Sequence, residues 1–349
     1  MGPTACQRNP TARTIDPEPH LATIYEVAKL AGVSPATVSR VFNGNVVSPE
    51  KERLVRDAAD RLAFTPNRAA RSLRKQSSEI IALIIPDIEN PFFTSLARGV
   101  EDSARAAGYS VVLCNTDEDV EREAHYLEIA VLENMAGVII AAASDKSDLG
   151  PLLSRSRAVV AVDRGPHGFD VDAVMVDNRA GGRAATRALL DQGCTRIACI
   201  TGPADVETAQ HRSDGWRDAL GAAGIKPPRE YLRHANYRVD GGREAMRHLL
   251  ALEEPPDAVF VTNNLMSVGA LQVLDETGQS PATFGFAAFG DLPFTAMEPS
   301  GMTVVHVPAR DLGVAAATML IERINGDRHS ARTVVLRNTI TTAPRPTPV

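Results

Sequence analysis

Two groups of residues in this chain have types and spacings suited to chemistry, and both point to recognition. The first lies in residues 65–75, TPNRAARSLRK, where Arg68, Arg71, Arg74 and Lys75 surround one leucine, Leu73. Arginines so spaced can neutralise backbone phosphates, and a lone leucine can wedge into a minor-groove base step. The second group lies in loops that follow short apolar runs: Asp87, Asn90, Phe92 and Phe93, then Asp163 and Arg164, Arg212, Tyr237, Asn263 and Asn264, Phe289 and Asp291. Carboxylates, amides and guanidinium groups can grip neighbouring hydroxyls, while aromatic faces cover the C–H faces of a sugar. Plainer readings stand beside this one. Asp163 and Arg164 could pair on the surface, Phe92 could pack within a helix, and Trp216 is expected to pack the Arg212 helix.

The residues offer little for catalysis. No GxG occurs anywhere in the chain, GxSxG and HExxH are missing, and the eight histidines lack metal-like pair spacing. The four cysteines (Cys6, Cys114, Cys194, Cys199) have no CxxC spacing and read as packed free thiols. The chain is thus expected to be no enzyme, with no cofactor and no metal.

Several local signals say which elements position these residues. Thr23 and Glu26 fit a capping box that opens a helix with Ile24, Val27, Leu30 and Ala31 on its apolar face. Gly32 can end it, Ser34 can cap the next helix, and Pro35 suits its first position. Val38 and Val41 then face inward, which leaves Pro35, Ala36, Thr37, Ser39 and Arg40 outward. A third helix is expected from Ser48-Pro49, burying Leu54, Val55, Ala58 and Leu62. Three short helices with this turn make a helix-turn-helix module. The 65–75 stretch has almost no apolar face and is too short to be a stable helix alone, so it is expected to fold on meeting DNA.

From Glu79 onward the pattern changes to apolar runs alternating with amphipathic stretches. Residues 80–86, 109–114, 136–142, 157–163, 196–201 and 257–262 read as strands, and residues 96–108 as a helix. Such alternation predicts parallel α/β sheets, and roughly 270 residues suit two lobes around a cleft. Ligands in such sheets sit beyond the carboxyl ends of the strands, where the second group of residues lies.

Charge divides the chain in the same way. Residues 21–75 hold ten Lys/Arg against five Asp/Glu, whereas residues 76–349 hold 25 against 36 within a total of −6. A small basic module on a large acidic one suggests that the first part alone meets a polyanion. No apolar run is long enough to span a membrane, and residues 1–20 lack the apolar core of a secretory signal, so a cytoplasmic location is expected. The expected division is a disordered leader (1–20), a helix-turn-helix domain (21–64), a hinge helix and linker (65–78), a two-lobed ligand-binding and dimerisation domain (79–342) and a flexible tail (343–349).

The stretches VAKLAGVSPATVSRVFNG and VSPEKERLVRDAADRLAFTPNRAARSL, with the α/β part behind them, resemble the lac repressor/galactose repressor family of bacterial regulators. The resemblance implies an N-terminal all-α helix-turn-helix domain followed by a periplasmic-binding-protein-like α/β domain of two lobes. It implies a repressor that binds a pseudo-palindromic double-stranded DNA operator as a homodimer, controlled by a small effector of sugar type in the interlobe cleft. Pro35, Ala36 and Arg40 would occupy the base-reading positions, Thr37 and Ser39 would contact the backbone, and Leu73 with Arg74 would enter the minor groove. Thr23, Tyr25, Ser34, Asn43, Asn67, Arg68, Ala70 and Arg71 complete the expected DNA contacts. Pro35 and Ala36 cannot make bidentate base contacts, so hydrogen-bonded readout would fall mainly on Arg40, with guanine as target. Arg212 and Asp163 match ligand-binding positions of the family; Asn264 and Gly290 stand where relatives often carry aspartate. A free solute-binding component of a sugar uptake system is the alternative with the same lobes.

Overall fold

The computed structural model describes residues 22–42, 46–64, 78–144, 146–166, 168–292 and 301–342. The expected DNA contacts Asn43, Asn67, Arg68, Ala70, Arg71, Leu73 and Arg74 lie outside these residues. The chain divides into two compact units, residues 1–75 and 76–349.

The described part of the first unit is three helices: α1 (Ile24–Ala31), α2 (Pro35–Phe42) and α3 (Pro49–Arg61). The capping box is present, with the Thr23 N–H donating to Glu26 Oε2 at 2.7 Å and the Glu26 N–H donating to Thr23 Oγ1 at 3.4 Å. Gly32 ends α1 at φ 66°, a left-handed conformation that costs glycine little. Ser34 Oγ accepts the Thr37 N–H at 3.2 Å and so caps α2. Val27, Ala28, Ala31, Val38, Val41, Val55, Ala58 and Ala59 form the core. Two expectations fail here. Leu30 and Leu54 are 42% and 36% exposed, and Ala28 and Ala59 take the inward positions instead. At such close helix contacts the smaller side chain wins the interface.

The second unit holds two six-stranded sheets. The first has the order β11-β5-β4-β3-β1-β2, built from β1 (Ile80–Ile85), β2 (Ser110–Asn115), β3 (Gly137–Ile140), β4 (Ala158–Val162), β5 (Asp172–Val176) and β11 (Thr333–Leu336). The second has the order β12-β10-β9-β8-β6-β7, from β6 (Ile197–Thr201), β7 (Leu232–His234), β8 (Ala258–Val261), β9 (Gly285–Phe289), β10 (Met302–His306) and β12 (Thr339–Thr342). All described pairings are parallel except β10 with β12. All six expected strands form. Six more, β5, β7 and β9 to β12, carry weaker signals: GFAAF is short and alanine-rich, and TITT is a polar edge strand.

Helices α4 (Pro91–Ala106), α5 (Val120–Leu132), α6 (Gly150–Leu153) and α11 (Ala309–Ile324) pack on the first sheet; α7 (Asn178–Asp191), α8 (Glu207–Ala222), α9 (Val239–Leu250) and α10 (Asn264–Glu276) belong with the second. The chain passes between lobes three times, after β5, after β10 and between β11 and β12. Three short crossings make a hinge. Because the strands are parallel, their carboxyl ends face one crevice between the lobes, where the loops converge. No described helix is long and apolar enough to cross a membrane.

Candidate nucleic-acid interface and ligand cleft

On the first unit, Val38 and Val41 anchor α2 in the core, and the rest of the helix is left partly or fully accessible. Ala36 and Arg40 are exposed, Pro35, Thr37 and Ser39 are half-buried, and Tyr25 is exposed at the start of α1. Ser34 and Thr37 share a hydroxyl–hydroxyl bond of 3.0 Å, and Thr23 is held by Glu26. These three expected DNA contacts therefore also hold the helix ends in place. The cation and the small side chains share one helix, the arrangement that major-groove reading needs.

In the second unit, Asn90, Phe92, Phe93, Asp163, Arg164, Arg212, Tyr237, Asn264 and Phe289 all line one cleft, as do Asp87 and Asn263. Asp291 does not join them. It is exposed and bonds His306 Nδ1 at 2.5 Å, while His306 Nε2 meets Thr341 Oγ1 at 2.7 Å. The reversal at Gly290, φ 91°, leaves Asp291 on an outer groove with Leu292 and Val307.

Arg212 enters from α8 and is buried. Its Nε donates to Asn178 Oδ1 at 2.7 Å, its Nη1 to the Thr262 carbonyl at 2.9 Å, and its guanidinium carbon sits 4.1 Å from the centre of the Phe289 ring. Phe289 thus carries the arginine on its face, a cation–π contact strengthened by desolvation. Two glycines permit this placement: a Cβ on Gly182 would meet the Arg212 carbonyl oxygen at 2.3 Å, and one on Gly215 the Arg179 carbonyl oxygen at 2.2 Å. Helices α7 and α8 approach that closely only because both side chains are missing. Trp216 is buried beside them and donates to the Ile197 carbonyl at 3.2 Å, packing the helix as expected.

Asp163 and Arg164 do not pair on the surface; both are buried. Asp163 sits at the end of β4 with φ 65°, its Oδ1 buried without a hydrogen-bond partner and 3.9 Å from Arg212 Nη2. Burial raises its pKa, against the pull of the Arg212 and Arg164 guanidinium groups. Arg164 instead holds Glu118 in a two-pronged pair, Nη1 to Oε2 at 2.7 Å and Nη2 to Oε1 at 2.6 Å, and also reaches the Ala142 carbonyl at 2.8 Å. Burial lowers the Arg164 pKa, and the Glu118 carboxylate more than offsets that, so it ends raised.

Other contacts among the described residues cross the cleft besides Arg212 with Asp163. Asn264 Nδ2 donates to Asn90 Oδ1 at 3.1 Å, and the same oxygen caps α4 through the Phe92 N–H. The Gly165 N–H donates to Glu207 Oε2 at 2.8 Å. Arg238, after β7, bonds Asp117, after β2, and lies 3.7 Å from Glu89 Oε2. The Tyr237 hydroxyl pairs with Thr208 within the second lobe at 3.1 Å. Glu118, Thr208, Asn236, Arg238 and Val307 line the cleft without having been singled out from sequence. The signal for Glu118 was present, since NTDED directly follows a strand-like run. Thr208 and Asn236 carried no such mark.

Comparison with known proteins gives the same picture. Residues 23–67 match the family model described as "Bacterial regulatory proteins, lacI family", and residues 78–342 match "Periplasmic binding proteins and sugar binding domain of LacI family". The ribose operon repressor of Escherichia coli (strain K12) is 36% identical over 308 residues, 87% of this chain and 93% of that protein. The HTH-type transcriptional repressor PurR of Pasteurella multocida (strain Pm70) is 32% identical, covering 90% and 95%. Among solved structures, a complex of the transcriptional regulator CelR with cellobiose has TM-score 0.71 and 29% identity, covering 93% of this chain and 100% of that one. The lac repressor dimer bound to operator has TM-score 0.82, covering 93% and 99%; at 22% identity it speaks for the fold. A helix-turn-helix unit and a two-lobed cleft in one chain, each matched by its own model, place this chain in the LacI family of DNA-binding transcriptional regulators.

Proposed function

We propose that this regulator represses transcription from a pseudo-palindromic operator and is controlled by a small neutral sugar, of pentose or hexose size, held between the lobes. The observation that carries the effector class is Asp163. Its buried Oδ1 has no hydrogen-bond partner, and Arg212 Nη2 stands 3.9 Å away, beyond a direct hydrogen bond. Hydroxyls of one ligand would fill that gap, donating to the carboxylate and accepting from the guanidinium. Leaving such a group unpaired costs about 1–3 kcal/mol, which a matching ligand recovers.

The remaining groups fit the same ligand. Asn90, Arg164 and Asn264 supply polar edges, and Phe92, Phe93 and Tyr237 supply apolar faces. Phe289 acts through Arg212 and offers less to the ligand than an open ring would. Glu118 neutralises Arg164, which argues against a phosphorylated sugar. The ribose operon repressor relative points to a pentose as the first probe.

The experiment is a thermal-shift and calorimetric screen of the full chain with D-ribose, other pentoses, hexoses, disaccharides and nucleobases, followed by operator binding with the best binder. A monosaccharide that raises the melting temperature and releases the operator supports the reading. Binding by nucleobases alone would overturn it.

A further inference from the structure

We infer that Arg238 is the residue that draws the two lobes together and closes one end of the cleft. The inference rests on the proposed cleft and goes beyond its ligand contacts to its closure.

Arg238 belongs to the second lobe, at the loop that leads into α9, and its guanidinium lines the cavity. Every carboxylate it meets belongs to the first lobe. It bonds Asp117, lies 3.7 Å from Glu89 Oε2, and lies 3.9 Å from Asp87 Oδ2. Asp87 and Glu89 follow β1, while Asp117 follows β2, so one cation gathers two adjacent loops of the opposite lobe. An isolated surface ion pair contributes little to stability. Here, however, the three acids crowd one another, and within their own lobe the Arg122 guanidinium, 3.6 Å from Asp117 Oδ2, meets only one of them, so removing Arg238 would leave much of their mutual repulsion unopposed at the cleft mouth.

The backbone of the acidic loop supports this role. Asp117 and Glu118 are consecutive non-glycine residues in the left-handed region, at φ 57° and 59°. Such backbone is costly and persists where surrounding contacts hold it. Both side chains are held: Asp117 by Arg238 across the cleft, and Glu118 by Arg164 within the first lobe. The loop therefore couples the closing cation to the floor of the ligand site. Because Arg238 forms a wall of the cavity, the bonds that join the lobes also limit ligand length.

The Gly165 amide gives a label-free readout, since it donates across the lobes to Glu207 and makes no contact of its own with the Arg238 ion pairs. Hydrogen exchange of the full chain is followed without sugar in 0.05 M and 0.5 M KCl. The variants are Arg238→Met and the charge-conserving Arg238→Lys. Salt screens partly exposed pairs, so exchange at Gly165 should accelerate at high salt in the wild type. In Arg238→Met it should run about tenfold faster or more at either salt, and Arg238→Lys should keep part of the protection. The Thr262 amide, bonded to the Ile200 carbonyl within the second lobe, should not change. Equal protection of Gly165 in wild type and Arg238→Met would overturn the inference, as would acceleration shared by Thr262. Since no sugar is present, a failure of the sugars to bind would count against the effector reading and leave this result standing.

Discussion

In the first unit, the polar side chains expected to meet a partner stand on the outside of a small helical core; in the second, they are buried and face each other across a cleft. Arg40 is exposed on α2, whereas Arg212 is held on three sides by Asn178, Thr262 and Phe289. The difference follows from the partners. DNA brings its own charge and a large surface, so an accessible cation on a well-placed helix is sufficient. A small neutral ligand must obtain its affinity from a few groups fixed in advance and kept from water. Rigidity is therefore concentrated around Arg212, and accessibility around Arg40.

The largest expected effect tests the buried side of this contrast. Arg212→Ala would remove a desolvated cation and leave Asp163 facing only the Arg164 guanidinium, which is already engaged by Glu118. Effector binding should fall at least about 100-fold in calorimetry, while operator binding without effector stays unchanged. Retained effector binding would mean that the ligand sits elsewhere. Next comes the small core. Val38 is fully buried among only a few residues, so Val38→Ala should cost about 2 kcal/mol. Circular dichroism melting should then resolve an earlier transition, with operator binding weakened and effector affinity retained. Loss of both functions together would show that the two units do not fold independently.

A smaller effect concerns Arg40. It is exposed, and if it reads the operator as proposed, Arg40→Ala should leave the melting profile in place and relax base preference at one operator position by about 1–2 kcal/mol. Binding measured against single-base operator variants checks this. Unchanged selectivity would move the reading helix away from α2.

The two units were also unequally legible in sequence. The first is governed by short-range signals, and the residues that announce them (Thr23 with Glu26, Gly32, Ser34 before Pro35) do in the structure what their spacing predicts. Its errors, Leu30 and Leu54, come from helix-on-helix packing, which periodicity alone does not resolve. The cleft was legible where a loop follows a strand, which is how Asp163, Asn90 and Asn264 were found. It was illegible where the partner is distant. Nothing near Arg164 marks Glu118, 46 residues earlier, as its mate. Nothing near Arg238 marks Asp117, 121 residues away. Asp291 failed because one glycine reversal turned it outward, and Phe289 changed role because Arg212 occupies its face.

The smallest expected effect separates the units by pH. Asp163 has a raised pKa in the folded protein, chiefly from burial, whereas in the unfolded chain it ionises in the ordinary aspartate range. The unfolded state therefore loses its proton first, and this group's contribution to stability declines as pH rises from the ordinary range through the raised value. Effector binding has the opposite sign. Hydroxyl donors need the ionised carboxylate, so affinity should be complete above the raised pKa and fall as pH drops through it. Asp87 and Glu123 are also raised by burial and titrate in the same direction, so wild-type curves alone would mix the three. Asp163→Asn isolates the term, because its affinity should be weak but flat across the window in which the wild type weakens. Operator binding by the first unit should show no difference between the two proteins in that window. An Asn variant with the wild-type slope would assign the titration to Asp87 or Glu123 and remove Asp163 from the centre of the site.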